Sequence, residues 1–369
     1  MNSPVASPLR GSEVHGGWLG RYFFPLGWTT RIAAMRILCV GLYLLWFNHP
    51  LAFHTAFLEA DGFDKPQWLM ALIDLTVGQE NYRQAWVLTT VQYVGIASGL
   101  LALVGLFSRL SVGVFTLTIW LQVSHTFSYD EIHHVETLFA IFLAMLAFSP
   151  CGDCLSLDAW RRQRRESTHT PDAPLAAAST ATPVRRWWEG SYNREAFWPI
   201  VGIQVLLALA YFDAAVSKLL IGGPHWFNGY TMQNILLTDG LRHDRPLGVY
   251  FAQFRELAIL MAVFAVAYEG LFWLVLVPRV RRWAVPAFLA AGFMLHVGIF
   301  VLQNAPFFMW LALYCVWLPW ERLPGLRPRG LQQTLDQSLG IWSRRPREQG
   351  KPPADELASR LPTVGPPAE

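Results

Sequence analysis

A lysine in a chain that otherwise uses arginine is the residue best suited to acid–base chemistry. Only three of the 29 Lys and Arg residues are lysine, and one of them, Lys218, directly follows the apolar run 196–217. A desolvated lysine can lose its proton whereas arginine stays charged, so a site that needs a base near neutral pH selects lysine. A lysine at the end of a membrane helix can also extend its ammonium group to the interface as an anchor. Base and anchor are therefore both interpretations of Lys218.

Histidines and acids gather in one short segment. The sequence HTFSYDEIHHVE at 125–136 holds three His and three acidic residues, including His134. Histidine and carboxylate are common ligands of zinc and iron, but HHxE lacks the i, i+4 spacing of a helical metal-binding pair. We expect no metal site, and hydrogen bonds to a polar ligand are the functional interpretation; a solvated interfacial loop is the alternative. His296 stands alone in an apolar run, as either a core donor or a site residue.

Two acidic residues also lie within apolar runs. Asp213 and Glu269 are expected to need a partner or a role, because a charge inside a membrane is costly. An arginine of the following loop could pair with Glu269, or the carboxyl could stay protonated. The CxxC pair Cys151 and Cys154 is interpreted as a helix-ending turn that follows Pro150.

The elements that position these residues are apolar helices. The chain is 53% hydrophobic and 15% charged, which excludes an ordinary soluble domain. About 20 apolar residues of helix cross a bilayer, and the sequence offers about eight such runs, so we predict an all-α polytopic membrane helical bundle. The predicted spans are 30–48, 84–108, 110–129, 137–152, 196–217, 257–278 and two helices within 283–320 divided at Gln303–Pro306.

Arginine-rich loops predict the orientation in a cell (inner) membrane. The rule that cytoplasmic loops carry excess Lys and Arg places both termini in the cytoplasm. The N-terminal tail 1–27, the flexible linker 159–195 and the largely disordered tail 321–369 then lie inside, while the loops 49–83 and 218–255 lie outside. No basic and aromatic patch suggests nucleic acid, so membrane lipid is the expected partner.

An ordered set of motifs within residues 28–320 resembles the HTTM (horizontally transferred transmembrane) domain, the membrane module that bacterial proteins share with vitamin K-dependent gamma-glutamyl carboxylase. The set is listed in chain order: Arg36 in RIAAMRILCVGLYLLW, His134 ahead of Ser156-Leu157-Asp158, Tyr211-Phe212, Ser217-Lys218-Leu219, Trp226, Gly229–Met232, and His296 ahead of Asn304 and Phe307-Phe308. Ser217 stands where the carboxylase has a second lysine.

The resemblance implies a quinol-dependent oxygenase or carboxylase-like enzyme at the outer membrane face. It implies reduced quinone, like vitamin K hydroquinone, as cofactor and Lys218 as the base, with His134 and His296 binding or polarising the quinol oxygens. It further implies that Trp226, Tyr230, Asn304 and Tyr211 bind substrate. The alternative is a non-catalytic membrane partner for maturation of, or immunity to, an exported peptide, which would dock on the outer loops. Transport through Asp213 or Glu269 is a third interpretation.

Overall fold

The structure is a computed structural model of the 369-residue chain. It describes residues 18–47, 69–82, 84–128, 134–168, 186–193, 196–305, 307–323 and 326. Residues 1–326 form one compact unit and 327–369 a second one, and every described residue lies in the first. Most of the predicted outer loop 49–83, residues 169–185 of the predicted linker and residues 327–369 of the predicted tail lie outside the described residues.

The described chain is predominantly helical. Its only strands are β1 (Gly27–Trp28) and β2 (Tyr192–Asn193), which pair antiparallel. The α-helices of the described residues follow in chain order: α1 Trp18–Phe23, α2 Thr29–Leu42, α3 Leu69–Thr76, α4 Gln79–Tyr82, α5 Ala85–Val104, α6 Ser108–Phe127, α7 His134–Ala147, α8 Leu157–Thr168, α9 Trp198–Ser217, α10 Tyr230–Arg242, α11 Pro246–Phe251, α12 Arg255–Leu271, α13 Arg281–Gln303 and α14 Phe308–Tyr314.

Four helical segments among the described residues are long and apolar enough to cross a membrane. They are Ala85–Val104, Trp198–Asn228, Arg255–Leu276 and Arg281–Gln303, and the segments Glu136–Ala147 and Phe308–Trp317 are shorter apolar helices. This confirms the prediction of a helical membrane protein. A helix forms in each of the eight predicted runs, but α2 and α7 have only 14 residues each, so the number eight stays a prediction.

The hairpin between α5 and α6 turns at Gly105, whose φ of 70° favours glycine after the last turn of α5. The side chain of Asp158 then accepts hydrogen bonds from the backbone N–H groups of Phe107 and Ser108, at 3.0 and 2.8 Å. A carboxylate at this position satisfies N–H groups that the first turn of α6 leaves without helical partners. The first turn of α8 therefore fastens the α5–α6 hairpin.

A buried arginine joins the same end of the bundle. Arg36 of α2 is fully buried and donates to the backbone oxygens of Ala102 and Leu155, the second at 2.6 Å. These contacts, together with Asp158, explain why residues 159–168 of the predicted flexible linker form helix α8 instead. An ion pair of 2.6 Å between Arg31 and Glu321 adds the chain beyond α14 to this end.

The residues predicted as the outer loop 218–255 are also largely helical. Helices α10 and α11 pack against α12 and α13 through a small core that is separate from the main one: Met232, Leu236, Ala252, Ala258, Ala262 and Leu302. Helix α11 approaches the end of α13 so closely that a methyl group at Gly248 would overlap the carbonyl oxygen of Leu302. The two helices thus form a packed cap over one end of α12 and α13.

Candidate functional site

A cavity of about 420 Å³ lies among α9, α12 and α13, with α10 and α14 at its edges. Most of its wall is apolar, and its ionisable or polar side chains are Tyr211, Lys218, Glu269, His296 and Gln303, with the indole of Trp226 beside them. Pockets of this size and character hold small-molecule ligands in many proteins. Four of the seven predicted site residues line this one cavity: Tyr211, Lys218, Trp226 and His296.

Lys218 forms an ion pair with Glu269 in the cavity wall. Its Nζ donates to both carboxylate oxygens, at 2.8 and 2.6 Å. The side chains of Lys218 and Glu269 are 23% and 12% exposed, respectively. The indole ring of Trp226 lies 5.5 Å from the same Nζ, which is within range of a cation–π contact. Glu269 therefore pairs with Lys218. It does not pair with an arginine of the following loop, which was one of the interpretations of the sequence.

The path of the chain changes at Lys218. Helix α9 ends at Ser217, and the chain continues as a π-helical turn over Lys218–Gly222 and a 3₁₀ turn over Gly223–Asn228. The whole segment Trp198–Asn228 has 31 residues and contains a stretch apolar enough to span a membrane, and Lys218 lies ten residues before its end. Single π-helical turns inside helices occur often at functional sites.

Three tyrosine hydroxyls form a hydrogen-bonded chain that ends on His296. Tyr268 Oη lies 2.7 Å from Tyr314 Oη, Tyr314 bonds to Tyr211, and Tyr211 Oη lies 2.7 Å from His296 Nε2. Each hydroxyl can donate or accept in this chain, and the tautomer of His296 decides whether its Nε2 accepts from Tyr211 or donates to it.

The hydroxyl chain fits closely against the backbone of α13. A methyl group at Gly292, one helical turn before His296, would overlap the hydroxyl oxygens of Tyr268 and Tyr314. Sequence reasoning missed both tyrosines, because nothing in their spacing links residues 268 and 314 to residue 211. Only the folded bundle brings the three together.

The other three predicted site residues lie elsewhere. The backbone of His134 begins α7, and its side chain is outside the described part of the chain. Asn304 follows α13 with a φ of 60° and accepts a hydrogen bond from the guanidinium of Arg245. Tyr230 is 60% exposed and lies under the guanidinium of Arg255 at 4.8 Å. Neither Asn304 nor Tyr230 lines the cavity.

Metal-ligating groups do not cluster in the described part of the chain, where no three His, Cys, Asp or Glu residues are placed to hold an ion. The segment 129–133 of the predicted histidine-rich loop lies outside the described residues. The cavity itself offers one carboxylate, one ammonium group and one imidazole. These groups suit proton exchange and hydrogen bonding with an organic ligand.

No family model, curated protein or solved structure matches the chain. The fold and the cavity by themselves therefore define the class: a predominantly helical membrane protein with a largely apolar cavity that contains an acid–base pair.

Proposed function

We propose that the chain is an HTTM-type membrane enzyme that binds a reduced quinone or similar amphiphilic quinol in this cavity and takes up its hydroxyl proton. The observation that carries the proposal is the Lys218–Glu269 pair, held in an apolar wall that also contains His296. A quinol needs an apolar slot for its ring, a proton acceptor at one hydroxyl and a hydrogen-bond donor near the other oxygen. The cavity offers all three kinds of group.

The residues of the cavity fit such a ring in size and in chemistry. The volume of about 420 Å³ exceeds the lower limit of typical ligand pockets, about 300 Å³. The aromatic side chains of Trp226, Phe264, Phe307 and Trp310 supply apolar surface around it. When bound, a reduced quinone would supply a phenolic hydroxyl and two electrons for the reduction of dioxygen.

The ion pair works as one acid–base unit in this proposal. Lys218 passes one proton from Nζ to the carboxylate of Glu269 and receives the hydroxyl proton at the vacated nitrogen. The pair begins neutral overall and ends with one positive charge beside the deprotonated oxygen, so attraction between the opposite charges stabilises the product in a medium of low dielectric constant. Arginine cannot replace Lys218 because a guanidinium group stays protonated.

His296 supplies the donor in the same proposal. With Nε2 accepting from the Tyr211 hydroxyl, which lies 2.7 Å away, the ring carries its proton on Nδ1 in this proposal and gives a hydrogen bond to a ligand oxygen. The base and the donor then come from different helices, α9 and α13. That separation allows the two ends of one planar ring to be held differently.

Turnover in nanodiscs tests the proposal. The purified protein is mixed with menaquinol or vitamin K hydroquinone and dioxygen, and the quinone epoxide is measured by chromatography. We expect turnover in the unaltered protein and a loss of at least about 100-fold in Lys218→Ala, Lys218→Arg and Glu269→Gln, in line with removal of a general base. Arg242→Gln, an exposed change outside the cavity, is the control that should keep full activity.

Absence of turnover in a folded sample would refute the quinol mechanism. Equal activity of Lys218→Arg and the unaltered protein would refute the role of lysine as a base, even if turnover occurs. Equilibrium dialysis with the same quinol separates a binding failure from a chemical failure.

A second proposed function, docking of an exported peptide, is supported by the surface of the cap. Leu241, Leu247 and Tyr250 of α10 and α11 are 67%, 50% and 52% exposed, and solvent-facing apolar groups of this size are typical of interaction sites. A docking protein should tolerate Lys218→Arg but lose its partner when Leu241 and Leu247 are both changed to Ser. The two variants therefore separate docking from catalysis.

A further inference from the structure

Among the described residues, Asp213 is a carboxylate without a hydrogen bond or ion pair, and it lies in a segment long and apolar enough to span a membrane. It is the sixteenth of the 31 residues in Trp198–Asn228, about 22 Å from the start of the segment at the 1.5 Å per residue of an α-helix. Gln204 accepts a hydrogen bond from Arg281 at the start of α13, and Asp213 lies nine residues, or about 13 Å, further along α9. A bilayer crossed by α9 and α13 would therefore hold Asp213 within its apolar core.

The side chain of Asp213 faces outward from the bundle. The residue is exposed, and within the described part of the chain it makes no hydrogen bond or ion pair. Lys218, the nearest cation along α9, is already engaged by Glu269. A charged group that faces lipid is costly, and intramembrane acids normally face the interior of a bundle, where they meet a partner. The described residues therefore offer this position no partner of the kind that a membrane environment demands.

The surface around Asp213 has the shape of a helix-binding face. Leu209, Phe212 and Leu220 are 57%, 47% and 80% exposed and share one side of the segment with Asp213, at the spacing of successive helical turns. A nearly apolar groove of about 440 Å³ runs beside Leu209 and Phe212 and reaches Trp273 after α12. A ridge of side chains on another helix packs into such a groove.

We propose that this face binds a transmembrane helix of a partner protein that carries Lys or Arg at the same depth. The opposite charge on the partner neutralises Asp213, and the groove receives apolar side chains of the partner beside the part of α9 that precedes Asp213. The inference goes beyond the proposed function and does not rest on it, because Asp213 does not line the cavity.

A second copy of the chain fits this face less well. A two-fold contact centred on Asp213 brings two carboxyl groups together instead of opposite charges. Within the four described spans, Lys218 is the cation that lies away from the span ends, and Glu269 of the same bundle already holds it. A basic residue from a different protein is the complement that the face lacks.

The experiment uses synthetic transmembrane peptides of about 20 Leu and Ala residues with one central Lys, or with Leu or Glu at that position as matched controls. The full-length protein and each peptide carry fluorophores and are reconstituted together in phosphatidylcholine vesicles, and energy transfer reports association as lipid is diluted. We expect the Lys peptide to associate at least about 10-fold more tightly than the Leu peptide, with no association of the Glu peptide. Asp213→Asn and Asp213→Leu should remove the preference for Lys.

Three results would overturn the proposal. The Lys and Leu peptides could associate equally, the preference for Lys could survive in Asp213→Leu, or labelled copies of the protein could associate with each other through Asp213. Because Asp213 makes no contact that the fold needs, Asp213→Leu should stay folded and unfold at the same or a higher temperature. That measurement shows that a lost preference for Lys does not arise from misfolding.

Discussion

Separate and joint removal of the two charges in the cavity wall provides a quantitative test of the Lys218–Glu269 pair. The side chains keep 23% and 12% of their exposed surface, so most of each charge is out of water. Removing one partner of a buried pair costs about 3–5 kcal/mol because the remaining charge stays uncompensated. Because Lys218 stays partly exposed, Lys218→Met and Glu269→Gln should each lower the free energy of unfolding by an amount near the lower end of this range, about 3 kcal/mol. The double variant should cost only about 1 kcal/mol, since neutral groups of similar size replace both charges.

The free energy of unfolding is measured in mixed micelles by titration with dodecyl sulfate and followed by tryptophan fluorescence. The cycle should give a coupling energy of about 5 kcal/mol. Asp213→Asn combined with Arg242→Gln is the control cycle, because no contact joins these two exposed residues, and it should be additive. A coupling below about 0.5 kcal/mol for Lys218 and Glu269 would refute the pair as a feature of the folded protein.

Three further predictions concern the scaffold, each with unfolding in micelles as the measurement. Arg36→Met should lower the free energy of unfolding by about 3 kcal/mol, because it leaves buried carbonyl oxygens without donors. Arg161→Met on the exposed side of α8 should change it by less than about 0.5 kcal/mol. Equal effects of the two changes would contradict the role of Arg36. Burial alone would raise the pKa of Asp158, but the backbone N–H and hydroxyl of Ser108 and the N–H of Phe107 hold that pKa below its ordinary value. The carboxylate of Asp158 therefore contributes its full stabilisation above the unfolded pKa of about 4, and this stabilisation is lost as the pH falls through the lower pKa of the folded protein. Asp158→Asn should lower the free energy of unfolding by about 1 kcal/mol at pH 7 and should abolish that acid dependence. Gly292→Ala should destabilise the protein by displacing the hydroxyls of Tyr268 and Tyr314. At Gly298 on the same helix a methyl group meets no atom within 4 Å, so Gly298→Ala should be neutral or stabilising by up to about 1 kcal/mol. A larger loss of stability in Gly298→Ala than in Gly292→Ala would rule out the tight fit at Gly292.

The sequence predicted the helical membrane class well because hydrophobic content and charge-free runs report directly on transfer into lipid. It placed Lys218 at the end of an apolar run, and α9 does end at Ser217, before the chain continues in π and 3₁₀ turns to Asn228. The link between Lys218 and Glu269 spans 51 residues, and periodicity within one helix carries no information about such a distance. Opposite charges in two neighbouring apolar spans were the available signal, because each charge needs a partner in lipid.

Helices α10 and α11 were hidden from the sequence for a different reason. Their segment is polar enough to be interpreted as an outer loop, and the mean hydropathy of a run does not reveal helices that pack beside a membrane rather than across it. The close approach of Gly248 to Leu302, and of Gly240 to Val249, shows what holds them. Glycine at these positions lets two backbones meet, which is a packing requirement that only the tertiary structure displays.

The cavity divides the chain into parts with different tasks. Every residue that lines it falls between Ala210 and Trp310, so α9 to α14 hold all of the proposed chemistry. The earlier helices contribute support, since Ile32, Phe139 and Phe142 belong to the same continuous core as Tyr211 and Tyr314. Tyr211 connects the two tasks, because its side chain belongs to that core while its hydroxyl is hydrogen-bonded to His296 in the cavity wall. A change such as Tyr211→Phe should therefore alter how His296 meets a ligand while the core that positions Lys218 and Glu269 stays intact.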